Sequence, residues 1–130
     1  MTARRGPPLP TGAELEILGV LWTRGPSTVR DVRVALGRGR DTAYTTVLKL
    51  LQIMHAKGLV SREKSSRTHV YAAAESSERT QRRLVDDLAL RAFGGSAARL
   101  ALRALSSRPA RGAELAAVRA LLARLDREGP

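Results

Sequence analysis

Two histidines, one adjacent pair of carboxylates and a threonine-rich helix carry what chemistry this 130-residue chain offers. His55 and His69 stand fourteen positions apart, with no metal-ligand spacing and no neighbouring nucleophile to complete a catalytic constellation. Asp86 and Asp87 are consecutive on a helical stretch, so their side chains diverge by about 100° and do not converge on one proton. The absence of cysteine excludes a disulfide framework, a thiolate zinc site and a catalytic thiol. The expectation is a binding protein and not an enzyme, with neither cofactor nor metal.

Charge indicates what is bound. The net charge of +11 suits a polyanionic partner, and it is front-loaded: residues 1–74 carry 12 Lys/Arg against 5 Asp/Glu, residues 75–130 carry 11 against 7. From Thr42 to Lys57 there is no acidic residue at all. If Val47 marks the inward direction of a helix there, Thr42, Thr45, Lys49, Gln52 and Ala56 point outward, flanked by Thr46 and Leu48. Hydroxyls, one amide and one ammonium on an acid-free strip suit the major groove of double-stranded DNA. Threonine meets phosphates and thymine methyls there, while glutamine and lysine reach adenine and guanine edges. An ordinary solvated helix face would be richer in glutamate.

The elements that must position this strip are legible from periodicity and punctuation. Residues 1–10, with three prolines and two arginines, read as a flexible basic arm. Thr11 and Glu14 form a capping-box pattern ahead of Leu15, Leu18 and Trp22, giving a first helix to about Trp22. Ser27 or Thr28 caps a second helix carrying Val29, Val32 and Leu36, stopped by Gly37 and Gly39. Asp41 or Thr42 caps a third, with Val47, Leu50, Leu51 and Met54 inward and a stop at Lys57-Gly58. Leu59 to Glu63 and Thr68 to Ala73 then read as a two-stranded hairpin with a basic tip. Helix, helix, helix, hairpin is the order of a winged helix-turn-helix, with the third helix as reader and the hairpin as wing. Arg62, Lys64 and Arg67, with His69 beside them, are the wing's candidate DNA contacts, and Arg30, Arg33, Arg38 and Arg40 are candidate phosphate clamps.

From Ser76 the chain is helical again. Leu84, Val85, Leu88 and Ala92 share a stripe before Gly94-Gly95, Leu100, Leu102 and Leu105 follow, and Leu115, Val118, Leu122 and Leu125 make a near-heptad seam from Gly112 to Arg127. Such helices need a cover, and self-association provides one. Leu84, Leu88, Leu115, Val118, Leu122 and Leu125 are the candidate dimer contacts, giving two reading heads related by a two-fold. The expected organisation is an arm (1–10), a winged-helix domain (11–75) and a helical dimerisation region (76–130). No apolar run follows Arg4 and Arg5, and none approaches the eighteen or so residues of a membrane span, so no membrane partner and a cytoplasmic location are expected.

The segments Glu14 to Trp22 (ELEILGVLW), Ala43 to Val60 (AYTTVLKLLQIMHAKGLV) and Val70 to Ala73 (VYAA) resemble the penicillinase-repressor (BlaI/MecI/CopY) family of winged-helix regulators. The resemblance extends over nearly the whole chain. It implies a homodimeric transcriptional repressor on an inverted-repeat operator with a TACA/TGTA core, contacted through Thr45, Thr46, Lys49, Arg62, Lys64 and Arg67. Leu48 stands where some members have arginine, and Arg103-Ala104 where some are cleaved at Asn-Phe. The C-terminal cysteines of the copper-responsive members are absent, so the inducer is unknown. Two other classes use the same residues differently: a non-specific architectural DNA- or RNA-binding protein, and a ligand-responsive winged helix of another family.

Overall fold

The computed structural model describes residues 6–37, 43–65 and 67–129. Its elements run α1 (Gly12–Arg24), α2 (Val29–Leu36), α3 (Tyr44–Lys57), β1 (Val60–Ser65), β2 (Thr68–Ala73), α4 (Ser77–Ala92), α5 (Ala97–Ser107) and α6 (Gly112–Glu128). The fold is mainly helical with one small antiparallel hairpin, in winged helix-turn-helix order.

Local chemistry sets the helix boundaries. At α1 the Thr11 hydroxyl accepts the Glu14 N–H at 3.2 Å while the Thr11 N–H donates to the Glu14 carboxylate at 2.9 Å. The same device opens α2, where Thr28 and Asp31 exchange two bonds of 3.1 Å. Thr28 is the cap, because Ser27 is committed elsewhere. Ser27 is buried and its backbone trades hydrogen bonds of 2.9 and 2.8 Å with Tyr71, tying the start of α2 to the hairpin. The α3 start differs from expectation. Asp41 and Thr42 lie outside the described residues, and the helix opens on Ala43, which has no side-chain oxygen to offer. Its stop falls at Gly58 as expected, in the left-handed conformation (φ 83°, ψ 13°) that glycine adopts without strain.

The hairpin is longer than its apolar pattern suggests. Pairing runs from Val60 with Ala73 to Ser65 with Thr68, so Lys64 lies within β1 opposite His69, and only positions 66 and 67 connect the strands. A ladder is made of backbone bonds, so polar side chains at its far end do not stop it. The two-residue alternation puts Val60, Arg62 and Lys64 on one face with Ala73, Tyr71 and His69, and Glu63 on the other. Tyr71 and Val60 are buried at the base of that first face, and Lys64 and His69 stand at its tip.

The core gathers Ile17, Leu18 and Leu21 of α1, Val29 and Val32 of α2, Val47, Leu51 and Met54 of α3, and Val60 and Tyr71 of the hairpin. Glu14 sits beside this core, 2 % exposed, and accepts from the Lys57 ammonium at 2.8 Å, joining the start of α1 to the end of α3. The chain divides into two compact units, Met1–Leu84 and Val85–Pro130, so α4 contributes to both. In the second unit α4 ends on Gly94 and Gly95, at φ 60° and 85°, where the Gly95 N–H reaches back to the Ala89 carbonyl at 2.8 Å. Ser96 then caps α5 through the Arg99 N–H.

Candidate nucleic-acid interface

Helix α3 buries Val47, Leu51 and Met54, at steps of four and three residues, and this fixes its outer face. Thr45, Thr46, Lys49, Gln52 and Ala56 are all exposed, and Leu48 is half-buried at the margin. No acidic residue interrupts this strip, and the first turn of α3 contains none. Two further side chains belong to the surface. Tyr44 and Ile53 are exposed; Ile53 stands about 120° around the helix from Val47, on the outer side, whereas Tyr44, about 60° from it, does not follow from that inward direction. Ile53 is adjacent in sequence to the buried Met54 yet 100° away around the helix, and with Thr45, Thr46, Lys49 and Leu50 it lines a shallow depression of about 310 Å³. Tyr44 escapes burial by standing at the helix end. An aromatic residue next to two threonines was the available signal for it.

A larger groove, about 860 Å³, opens between α2, α3 and β2. Arg30 and Arg33 of α2 line one side, Arg67 and His69 of the hairpin another, and Tyr44 and Leu48 of α3 a third. Three of the candidate cations therefore meet around one concavity. Arg62 and Lys64 are exposed along β1 and do not line it. Arg38, Arg40 and Thr42 lie outside the described residues. Tyr71 also contributes to the groove wall, and its buried hydroxyl has no hydrogen-bond partner among the described residues. Its ring meets His69 edge-on at 6.4 Å.

Electrostatically the interface is simple. Asp31, at the start of α2, is held below the usual aspartate range by hydrogen bonds from the Thr28 backbone and hydroxyl, with Arg24 and Arg30 adding attraction. It is thus an occupied cap. Among the described residues no group of histidines and carboxylates could hold a metal ion. His55 is half-buried on α3 and His69 half-buried on the hairpin, far from forming such a group. No described helix is long and apolar enough to cross a membrane.

The sequence profile of the penicillinase repressor family matches residues 10–124. The chain belongs to the penicillinase repressor family. The match takes in all of the winged helix and most of α6. Among curated proteins, the chain is similar to the transcriptional regulator BlaI of two Mycobacterium tuberculosis strains, CDC 1551 and H37Rv. Each is 45 % identical over 60 residues, which is 45 % of this chain and 44 % of the relative. The chain thus spans under half the length of the curated relatives it matches. Among solved structures, a transcriptional regulator from Thermotoga maritima shares the fold at a TM-score of 0.50 and 19 % identity, covering 92 % of this chain and 79 % of that one.

Of the six residues expected to pair two chains, Leu84 closes the first unit and the other five lie in the second. Leu84, Leu115 and Val118 are half-buried, whereas Leu88, Leu122 and Leu125 stand 49 %, 56 % and 48 % exposed. Leu90, Leu102, Leu105 and Leu121 are exposed as well. Within one chain the apolar surface of these helices remains largely uncovered.

Proposed function

We propose that this chain is a transcriptional repressor that binds an inverted-repeat DNA operator as a homodimer. The observation that carries the reading is the exposed, acid-free face of α3, with Thr45, Thr46, Lys49 and Gln52 set opposite a fully buried stripe. A helix so presented, on a winged helix with net charge +11, is built to enter a major groove. The groove bounded by Arg30, Arg33 and Arg67 suits the adjoining sugar-phosphate strand, and Arg62 and Lys64 extend the positive surface along the wing. In this reading residues 11–75 are the DNA-binding domain, residues 76–130 the pairing region, and the uncovered leucines the seam between two copies. Repression follows from occupancy, since a dimer seated on an operator blocks the polymerase. The protein acts where the DNA is, in the cytoplasm, as a binder and not an enzyme.

The test begins with selection of duplexes from a randomised library by the full chain, followed by a salt titration of the enriched sequence against a scrambled duplex. An inverted repeat should emerge and be preferred by about a thousandfold or more. Enrichment of no sequence, or equal affinities for the two duplexes, would leave only non-specific coating and overturn the reading.

A further inference from the structure

Ile53 is a branched apolar residue left 39 % exposed on α3, the helix that the DNA-binding reading turns toward the major groove. A single exposed isoleucine is ordinary on a protein surface. This one has company. Leu50 lies three residues before it and Thr46 four before that, while Lys49 and Thr45 run alongside at four-residue steps, so the five side chains form one continuous surface. Together they line the shallow depression of about 310 Å³. Leu50 is half-buried and packs against the core, which fixes it as an apolar wall, and Ile53 stands beside it in water. The depression borders the exposed polar strip through Thr45, Thr46 and Lys49, which belong to both.

Two apolar side chains bordered by an ammonium and two hydroxyls, with no acidic residue between Thr42 and Lys57, suit a small apolar group carried on an anion. A protein partner fits poorly, because a stable protein interface takes roughly 20–30 residues a side and this patch has five. Duplex DNA fits well. Of the four bases only thymine sets a methyl group in the major groove, beside its O4 acceptor, on a backbone whose phosphates attract Lys49. Cytosine in the same place offers an amino donor and no methyl, and against Leu50 and Ile53 that donor would lose its water without gaining an acceptor. We infer that the depression lined by Leu50 and Ile53 is a thymine-methyl site, and that Ile53 makes the protein prefer thymine to cytosine at one position of each half-site. The inference rests on the DNA-binding reading above and assigns a specificity-determining role to a residue outside the polar strip.

The experiment titrates the full chain on the library-enriched duplex and on copies in which each thymine of one half-site is replaced in turn. Deoxyuridine removes only the methyl, cytosine exchanges the whole groove edge, and 5-methylcytosine restores the methyl alone. At one thymine, wild type should lose about three- to fivefold with deoxyuridine, the worth of one buried methyl group. It should lose about tenfold or more with cytosine, part of which 5-methylcytosine recovers. Ile53→Ala should bind the thymine duplex about as weakly as wild type binds the deoxyuridine duplex, and should lose most of the difference between the two. Ile53→Val, which keeps a branched side chain, should retain most of it. An enriched half-site without thymine, a wild type indifferent to every methyl, or a methyl dependence that Ile53→Ala leaves unchanged overturns the inference. So does an Ile53→Ala chain that melts early and loses equally on every duplex, which makes the residue general support, or one whose oligomeric state falls in the absence of DNA, which makes the patch a contact between copies. All of these leave the repressor reading intact, because wild type still selects an operator. Selection of no sequence at all removes both.

Discussion

Glu14 shows how one residue can serve two purposes that pull its chemistry in opposite directions. Burial works to raise its carboxyl, but the bond from the Lys57 ammonium and those from Thr11 outweigh it and hold the group below the ordinary value of 4.5. A carboxyl depressed in the folded state stabilises the fold above that ordinary value and loses this contribution as pH falls through the folded one. Lys57→Met should therefore cost about 2 kcal/mol at neutral pH, by leaving a buried carboxylate without its cation. The gap between variant and wild type should shrink below about pH 4.5, as wild type loses the contribution of its depressed Glu14 carboxyl. Thermal melts from pH 7 to 3 check this, and a gap independent of pH would count against it. Tyr71→Phe is expected to leave stability unchanged or raise it by about 1 kcal/mol, since its buried hydroxyl has no partner among the described residues. A clear drop in the melting temperature would reveal a partner. On the reading strip, Thr46→Ala should weaken operator binding by about 1–3 kcal/mol with no change in the melt, if the hydroxyl reads a base. Unchanged operator affinity would refute that role.

At the scale of elements, α2 and α3 start in contrasting ways. Helix α2 opens on a complete capping box at Thr28, immediately after Ser27 is pinned to Tyr71, so its first turn is fixed by side chains and sheet together. Helix α3 opens on Ala43 with no side-chain cap and no acidic residue in its first turn, and its stability comes instead from Val47, Leu51 and Met54 in the core. Thr28→Ala should accordingly cost about 1 kcal/mol by denaturant titration, the usual loss for a threonine N-cap. A null result would mean that the Ser27 to Tyr71 pairing alone sets the helix start. The hairpin is divided along its length: the base is held by Val60 and Tyr71 in the core, and the tip carries cations in water. Glu63 is turned to the opposite face from Arg62 and Lys64, so the one acidic side chain of the wing does not oppose its cations.

At the scale of the whole molecule, the leucines of the second unit make the sharpest demand. Leu88, Leu122 and Leu125 are each about half exposed, and Leu90 and Leu102 more so, which leaves much leucine surface in water. Replacing Leu122 and Leu125 together by glutamate should yield a monomer by sedimentation and cut affinity for the inverted repeat at least tenfold, while single half-site binding stays near wild type. A dimer that survives both substitutions would move the seam elsewhere.

Taken by itself, the sequence determined the repeating and punctuated features: the Thr11 and Glu14 capping box, the Gly58 stop, the Gly94-Gly95 break, the mainly helical winged-helix order and the acid-free face of α3. These follow from interactions within a few residues, where spacing alone settles which side chain meets which backbone group. Only the tertiary structure decided that Thr28 and not Ser27 caps α2, that Lys64 lies inside β1, that Arg30, Arg33 and Arg67 share one groove, and that Glu14 meets Lys57 and Trp22 meets Glu75. The last two contacts join residues 43 and 53 positions apart. Such pairs form because packing the α1 to α3 core brings their elements together, and no local pattern of charge or hydropathy encodes which of the many distant cations or carbonyls will arrive.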